Sequence, residues 1–151
     1  MHGIVWTDEV KDIKEIWKYG NIWAGIVTGK HNMANTFRVV THDVMPASSG
    51  TPEDLYTAPG STTTICLGIV LANVHTSQVT ASVKLVSDTS GGGRTATNTT
   101  TFLVKDVPIP VGSSLEVLNG AKVILETTDQ IEIDCSVADK VSVTMSIMEI
   151  T

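Results

Sequence analysis

A chain of 151 residues suits a single domain with a short appendage. Its formal net charge of −6 and its singly scattered basic residues disfavour direct binding to the phosphates of a nucleic acid. The sequence has no run of about 18 apolar residues and no positively charged leader, so we expect no membrane-spanning helix and no signal peptide.

The first 32 residues differ from the rest and contain all three tryptophans. Thr7 is a suitable helix cap, and the acidic residues that follow it suit the positive end of a helix dipole. Val10, Ile13 and Trp17 are spaced three and four apart and form one apolar stripe. The pattern predicts a short helix over residues 8–19, which must dock on something to be stable.

Residues 33–36 read Met-Ala-Asn-Thr, like a fresh protein start, and leave two interpretations of residues 1–32. In one, these residues are an upstream extension that results from a misassigned start codon. In the other, they are a genuine anchoring arm whose tryptophans bind a partner surface, as buried aromatic anchors do. The sequence leaves both interpretations open.

From Thr36 onward the hydrophobic period is two, which is typical of β-strands. Residues 43–60 contain several prolines and glycines and are predicted as an extended arm that can lie across a neighbouring subunit. Residues 62–73 are apolar on both faces, which predicts a strand that is central or covered by another subunit. The predicted strands are residues 36–42, 62–73, 78–87, 100–107, 114–118, 122–126, 130–137 and 141–150.

Turn signals separate these strands about every ten residues. Asn119-Gly120 between two apolar runs predicts a tight hairpin. Gly91-Gly92-Gly93 predicts a mobile hairpin tip. About eight short strands without strand–helix alternation indicate an all-β fold, an antiparallel β-sandwich of the Ig-like or jelly-roll-like kind over residues 33–151.

We find no pattern that predicts a catalytic, cofactor-binding or metal-binding site. The glycine run ends in Arg94 and lacks the Lys-Ser/Thr pair of a phosphate loop. His42 and Asp43 are neighbours on a strand and are expected on opposite faces. His75 has no partner at metal-ligand spacing. Ser49 lies outside the strand–turn–helix context of a nucleophile elbow.

Seven other polar or reactive residues have simple structural explanations. Glu132 and Asp134 lie two apart on an alternating strand and are predicted to line its solvated face. Aspartates 88, 129 and 139 look like turn residues, without the spaced ladder of a calcium loop. Cys66 and Cys135 lie in strand-like segments far apart in sequence and could form a sandwich disulfide, but because we see no export signal, two buried free thiols are the favoured prediction.

Beyond these patterns, five segments after residue 32 occur in a distinctive order and resemble small virion structural proteins of tailed bacteriophages, especially those of marine phages of cyanobacteria and related hosts. The resemblance covers about 115 residues, lies in segment order and not in catalytic motifs, and excludes residues 1–32. The segments are MANTF at 33–37, LYTAP at 55–59, LGIVLANV at 67–74, VPIPVGSSLE at 107–116 and SIMEIT at 146–151.

The resemblance implies a β-sandwich component of a virion that assembles in the host cytoplasm, with no functional residue to carry over. We therefore expect a homo-oligomeric, non-enzymatic capsid decoration or cement protein, whose partners are the major capsid protein or other virion proteins. The alternatives are a neck, tail or fibre-associated component and a carbohydrate-binding sandwich. The last is disfavoured because few aromatic residues follow Met33.

Overall fold

The structure of the protein, a computed structural model, describes residues 34–151. The chain divides into two units, Met1–Asn32 and Met33–Thr151. The helix predicted over residues 8–19 lies outside the described residues, and both interpretations of residues 1–32 stay predictions.

In the described part of the chain, nine strands form two antiparallel sheets. The predicted all-β antiparallel architecture is confirmed at this level. The strands are β1 (Asn35–Met45), β2 (Glu53–Thr57), β3 (Thr63–Asn73), β4 (Val79–Val86), β5 (Thr101–Ile109), β6 (Ser114–Glu116), β7 (Val123–Leu125), β8 (Gln130–Cys135) and β9 (Val141–Ile150).

The strand pairings are nested along the chain. The first sheet has the order β1-β9-β3-β6, with β7 also beside β3, and the second has the order β2-β8-β4-β5. The first strand therefore pairs with the last, the second with the second-last, and β4 with the next strand, β5. Strand β3 lies in the middle of its sheet, as its two apolar faces predicted.

The core lies between the sheets and follows from the alternation along each strand. On β8, Ile131 and Ile133 are fully buried, whereas Glu132 and Asp134, which alternate with them, are partly exposed. Strand β9 buries every second residue from Val141 to Ile147 in the same way. Removing these side chains from water supplies the main stabilisation, about 25 cal/mol per Å² of apolar surface.

The prediction that residues 43–60 form an irregular arm across a neighbouring subunit is wrong. Strand β1 continues to Met45, and β2 forms between two prolines and pairs with β8 of the same sandwich. Leu55 is 9% exposed and joins the core. A strand of five residues is too short to show a clear period of two, and its pairing partner is about 75 residues away in sequence. The sequence pattern of residues 43–60 was therefore interpreted from its prolines, which predict irregular structure.

The hairpin predicted at Asn119-Gly120 is also wrong. Both residues have the positive φ that this pair favours, but the flanking strands do not pair with each other. Instead, β6 and β7 lie end to end along β3, opposite residues 70–72 and 64–66. The prediction of a turn at Asn119-Gly120 was correct, but pairing with the long central strand β3 determined where β6 and β7 lie.

A polar bridge joins the two sheets beside the core. The Tyr56 hydroxyl, from β2, donates a hydrogen bond to Glu149 Oε1 of β9 at 3.0 Å and lies 2.9 Å from the Thr64 hydroxyl of β3. Because the carboxylate only accepts, Thr64 donates to Tyr56. Arg38 Nε donates to Glu149 Oε2 at 2.7 Å. We call these four residues the inter-sheet bridge.

We expect Tyr56→Phe to lower the free energy of unfolding by about 1–2 kcal/mol, because it leaves the buried Thr64 hydroxyl and one Glu149 oxygen without this partner. Urea denaturation measures the change. The matched control is Thr144→Ala, whose exposed side chain should change stability by less than about 0.5 kcal/mol. Equal stability of Tyr56→Phe and the native chain would contradict the role of the bridge.

Candidate interaction surface

The outward face of the first sheet carries an apolar row that crosses four strands. The register places Phe37 of β1 opposite Met148 of β9, Met148 opposite Ile65 of β3, and Ile65 opposite Ile124 of β7. Directly opposed residues project on the same face of a sheet, so these side chains are neighbours. Phe37 is 71% exposed and Ile124 is 51% exposed.

Further exposed apolar side chains lie on the same face. Val39 is opposite Ser146 and is 64% exposed, and Val70 is opposite Thr144 and is 39% exposed. Among residues 34–151, four of the seven exposed large hydrophobic side chains therefore belong to this one face. Such a concentration marks an interaction surface, because scattered single residues would need no explanation.

No outward residue is charged among residues 35–41 of β1, 142–150 of β9 and 63–72 of β3. Charge begins at the rim, where Glu116 of β6 lies opposite Val70 and where Asp43, whose side chain is 93% exposed, follows on β1 at the register shift. We call the uncharged set the neutral face. Its members are Asn35, Phe37, Val39, Thr41, Thr63, Ile65, Gly68, Val70, Ala72, Ser142, Thr144, Ser146, Met148 and Ile150, together with Ile124 of β7.

The outward face of the second sheet is charged. Lys84 of β4 lies opposite Glu132 of β8, and Asp54 of β2 lies opposite Glu132 on the other side. Phe102 of β5 lies beside Lys84, and the ammonium groups of Lys84 and Lys105 lie 5.4 and 5.2 Å from the centre of its ring. These cation–π contacts occupy the aromatic surface. The two outward faces of the sandwich thus differ in chemistry.

His42 lies near two carboxylates without a hydrogen bond to either. Its Nε2 is 3.8 Å from Glu53 Oε1, and its Nδ1 is 3.8 Å from Asp43 Oδ1. Nδ1 is a buried side-chain nitrogen without a hydrogen-bond partner among the described residues. Within residues 34–151, the structure brings together no three His, Cys, Asp or Glu side chains that could hold a metal ion.

A small polar cavity of about 170 Å³ lies beside β4, β5 and β8. Asp134 Oδ1 accepts hydrogen bonds from the backbone amides of Gly50 and Cys135, and Asp106 Oδ1 accepts one from the Ser82 hydroxyl at 3.2 Å. Ser49 donates to a backbone carbonyl at 2.8 Å and not to a base. These polar groups fasten loops and bulges to the sheet.

The glycine-rich loop connects β4 to β5, which pair as a hairpin. Gly91, Gly92 and Gly93 all have positive φ, a conformation that glycine adopts without strain. Arg94 forms an ion pair with Glu126, and the loop borders an open cavity of about 500 Å³. The guanidinium therefore binds a carboxylate of the same chain.

Both cysteines are buried and free, as predicted. Cys66 lies in β3 of the first sheet and Cys135 in β8 of the second. Burial raises the pKa of the Cys66 thiol to about 11 and also raises the pKa of Cys135. Few thiolates exist at neutral pH, so both cysteines are unreactive in the folded protein.

The folded chain holds the Cys66 proton more tightly than the unfolded chain, because the folded pKa lies above the usual value of 9.0. We therefore expect the free energy of unfolding to fall as the pH rises from about 9 towards about 11. Cys66→Ala should flatten this fall, while Thr144→Ala, which changes an exposed side chain and removes no titrating group, should retain it. Urea denaturation at neutral and alkaline pH measures both, and equal slopes in the native chain and Cys66→Ala would refute the assignment.

In the described part of the chain, no helix has the length and apolar character needed to cross a membrane. No protein-family model matches the sequence, and no curated protein matches it. Among solved structures, the fold is similar to a chain from Bacillus endospore appendages, described as a novel family of disulfide-linked pili. The two are 17% identical, the match covers 82% of this chain and 94% of that chain, and the TM-score is 0.43.

This comparison corrects the function predicted from the sequence. That solved structure is a bacterial endospore pilus protein and not a phage protein, and the prediction of a phage capsid decoration protein is contradicted. The physical reason is that segment order encodes strand positions, and one sandwich layout serves many unrelated roles. For the same reason, nothing beyond the fold is transferred from the pilus protein. The virion location and the partners implied by the resemblance stay predictions.

The sequence indicated only part of the neutral face. The two apolar faces of β3 suggested a covered strand, but Phe37 and Val39 on β1 and Met148 and Ile150 on β9 were not connected with it. Their signal is the absence of charge at every second position of residues 35–41, 63–65, 68–72 and 142–150, which lie on three strands that prove to be neighbours. Only the register shows that these positions share one face.

Proposed function

We propose that this protein is a non-enzymatic structural subunit that assembles with copies of itself through the neutral face. The nested strand pairing matches the order expected of a jelly roll, a two-sheet scaffold with a continuous core. The observation that carries the proposal is the apolar row from Phe37 to Ile124 on a face without charged residues.

The charge distribution favours this face as the contact. Each copy carries a net charge of −6, so two copies that approach through charged surfaces repel each other. Burying charges at an interface also costs desolvation free energy that imperfect pairing does not recover. Contact through the neutral face avoids both costs and removes exposed apolar side chains such as Phe37 and Ile124 from water.

The same chemistry favours a second copy as the partner. A partner recognised through ion pairs needs charged groups to bind, and the neutral face offers none until Glu116 and Asp43 at its rim. A surface with a central apolar row and flanking Ser and Thr residues complements another surface of the same kind. In an isologous contact, each copy presents the same patch, and the apolar rows meet at the centre.

The proposal that the protein is not an enzyme rests on how the polar side chains are used. Asp134 binds two backbone amides. Asp129 is 3% exposed and accepts hydrogen bonds from the Glu126 amide and the Thr89 hydroxyl. Asn73 donates from its amide to two backbone carbonyls. These groups stabilise turns and leave little freedom for proton transfer.

The test replaces Val70 and Ile124 of the full chain with lysine. We expect the native chain to have a molar mass of two or more times 16.1 kDa. The double variant should have at most about half the native mass, because two positive charges in the contact weaken association by well over tenfold. Size-exclusion chromatography with light scattering measures both. The native assembly should also persist at high salt, because the contact contains no ion pairs.

The control is Phe102→Lys, which places one lysine at an exposed apolar position on the other sheet. It should retain the native mass, and circular dichroism should show that all variants keep their strands. A native chain that is monomeric at every accessible concentration would refute the proposed function. A control that dissociates as readily as the double variant would also refute it.

A further inference from the structure

Strand β1 is an open edge of the first sheet. Within residues 34–151 it pairs with β9 alone, so its other side presents backbone N–H and C=O groups without a strand beside them. Such an edge is a template for pairing with another chain, and proteins commonly protect it. The other edges of this sandwich show how that protection is achieved.

The four other edge strands are each short or irregular. Strand β2 has five residues with a register shift, and β6 and β7 have three residues each. Strand β5 contains Pro108, which lacks an N–H, and its register with β4 shifts twice. Asp106 in β5 has a φ of 50° and turns the strand locally out of an extended conformation.

Strand β1 has none of these features over most of its length. Its residues 35–42 pair with β9 without a register shift, and two backbone hydrogen bonds between Ala34 and Thr151 extend the ladder. Proline is absent from the strand, and its one basic residue, Arg38, is held by Glu149. The edge is long, straight and rich in β-branched and aromatic residues, which favour strand pairing.

We propose that the open edge of β1 pairs antiparallel with β1 of a second copy, in a two-fold register centred on Val39. This inference rests on the proposed function, because both require copies of the chain to associate. It adds a second contact, along the edge and not the face of the first sheet. The first sheet of one copy and the first sheet of the other then form one continuous sheet across the interface.

The proposed register follows from two requirements: paired residues must lie on the same face of the sheet, and like charges must not lie opposite each other. Opposed residues must share a face, and the outward residues of β1 have odd numbers, so the two numbers of every pair must sum to an even value. A centre at Arg38 sets two guanidinium groups opposite each other, which is destabilising. A centre at Val39 instead sets Arg38 opposite Val40 and Phe37 opposite Thr41.

The number of paired residues also selects this centre. The regular part of β1 ends at His42, where the register with β9 shifts before Met45. A centre at Val39 pairs residues 36–42 with their copies, whereas a centre at Phe37 or Val40 pairs a shorter segment. The Val39 register also continues the neutral face across the interface, because each Val39 becomes the neighbour of its copy.

Cysteine cross-linking of the full chain tests this register. In the proposed pair, the two residues at position 39 are directly opposite, with Cβ atoms about 5 Å apart, which is within reach of a disulfide. Under mild oxidation, we expect Val39→Cys to form covalent dimers at least about tenfold faster than Val40→Cys, whose copies lie offset on the other face. The native chain is the matched background, because Cys66 and Cys135 are buried.

A second pair of cysteine variants tests the same register at positions 37 and 41. Phe37→Cys and Thr41→Cys should each remain uncross-linked alone, because like positions are four residues apart along the strand, about 13 Å. An equimolar mixture of the two should form mixed dimers, because position 37 lies opposite position 41. Mass spectrometry of the linked peptides identifies the pairing directly.

The outcomes separate this inference from the proposed function. If the native chain associates but Val39→Cys links no faster than Val40→Cys, edge pairing is refuted and the neutral-face contact stands. If the native chain is monomeric, both fail. If Val39→Cys still forms dimers when combined with Val70→Lys and Ile124→Lys, the edge contact is independent of the face contact, as proposed.

Discussion

Burial of alternating apolar side chains between the two sheets is the interaction on which the other features of this protein depend. Ile131 and Ile133 on β8 and Met145 and Ile147 on β9 are fully buried or nearly so, and their burial determines which face of each strand points inward. With a period of two, that choice also determines every outward residue. The neutral face and the charged face therefore both follow from the register that the core imposes.

The strands that could be predicted from the sequence are those whose own alternation is long enough to be read. Strand β9 was predicted with its observed bounds, and β3 to within one residue. Strand β2 was missed, because its five residues lie between prolines and are held by distant β8. The turn at Asn119-Gly120 was correct locally, but the pairing of β6 and β7 was decided by β3, which local chemistry does not encode.

The candidate interaction surface was harder to predict than the fold for a related physical reason. Phe37, Met148, Ile65 and Ile124 form one row only because β1, β9, β3 and β7 are neighbours, although up to 111 positions separate Phe37 from Met148 in the chain. Segment order indicated a sandwich but said nothing about the chemistry of its surfaces. A likeness in segment order therefore supported the correct architecture and a wrong role.

The charged outer face of the second sheet has a consequence for any assembly that buries the neutral face. Association through an uncharged surface conceals no ionised group, so the net charge of −6 carried by each copy accumulates in full on the exterior. A particle of many copies would be a strongly anionic colloid. Its surface would attract a dense layer of counterions, keep separate particles apart at low ionic strength, and let them approach as salt screens their repulsion.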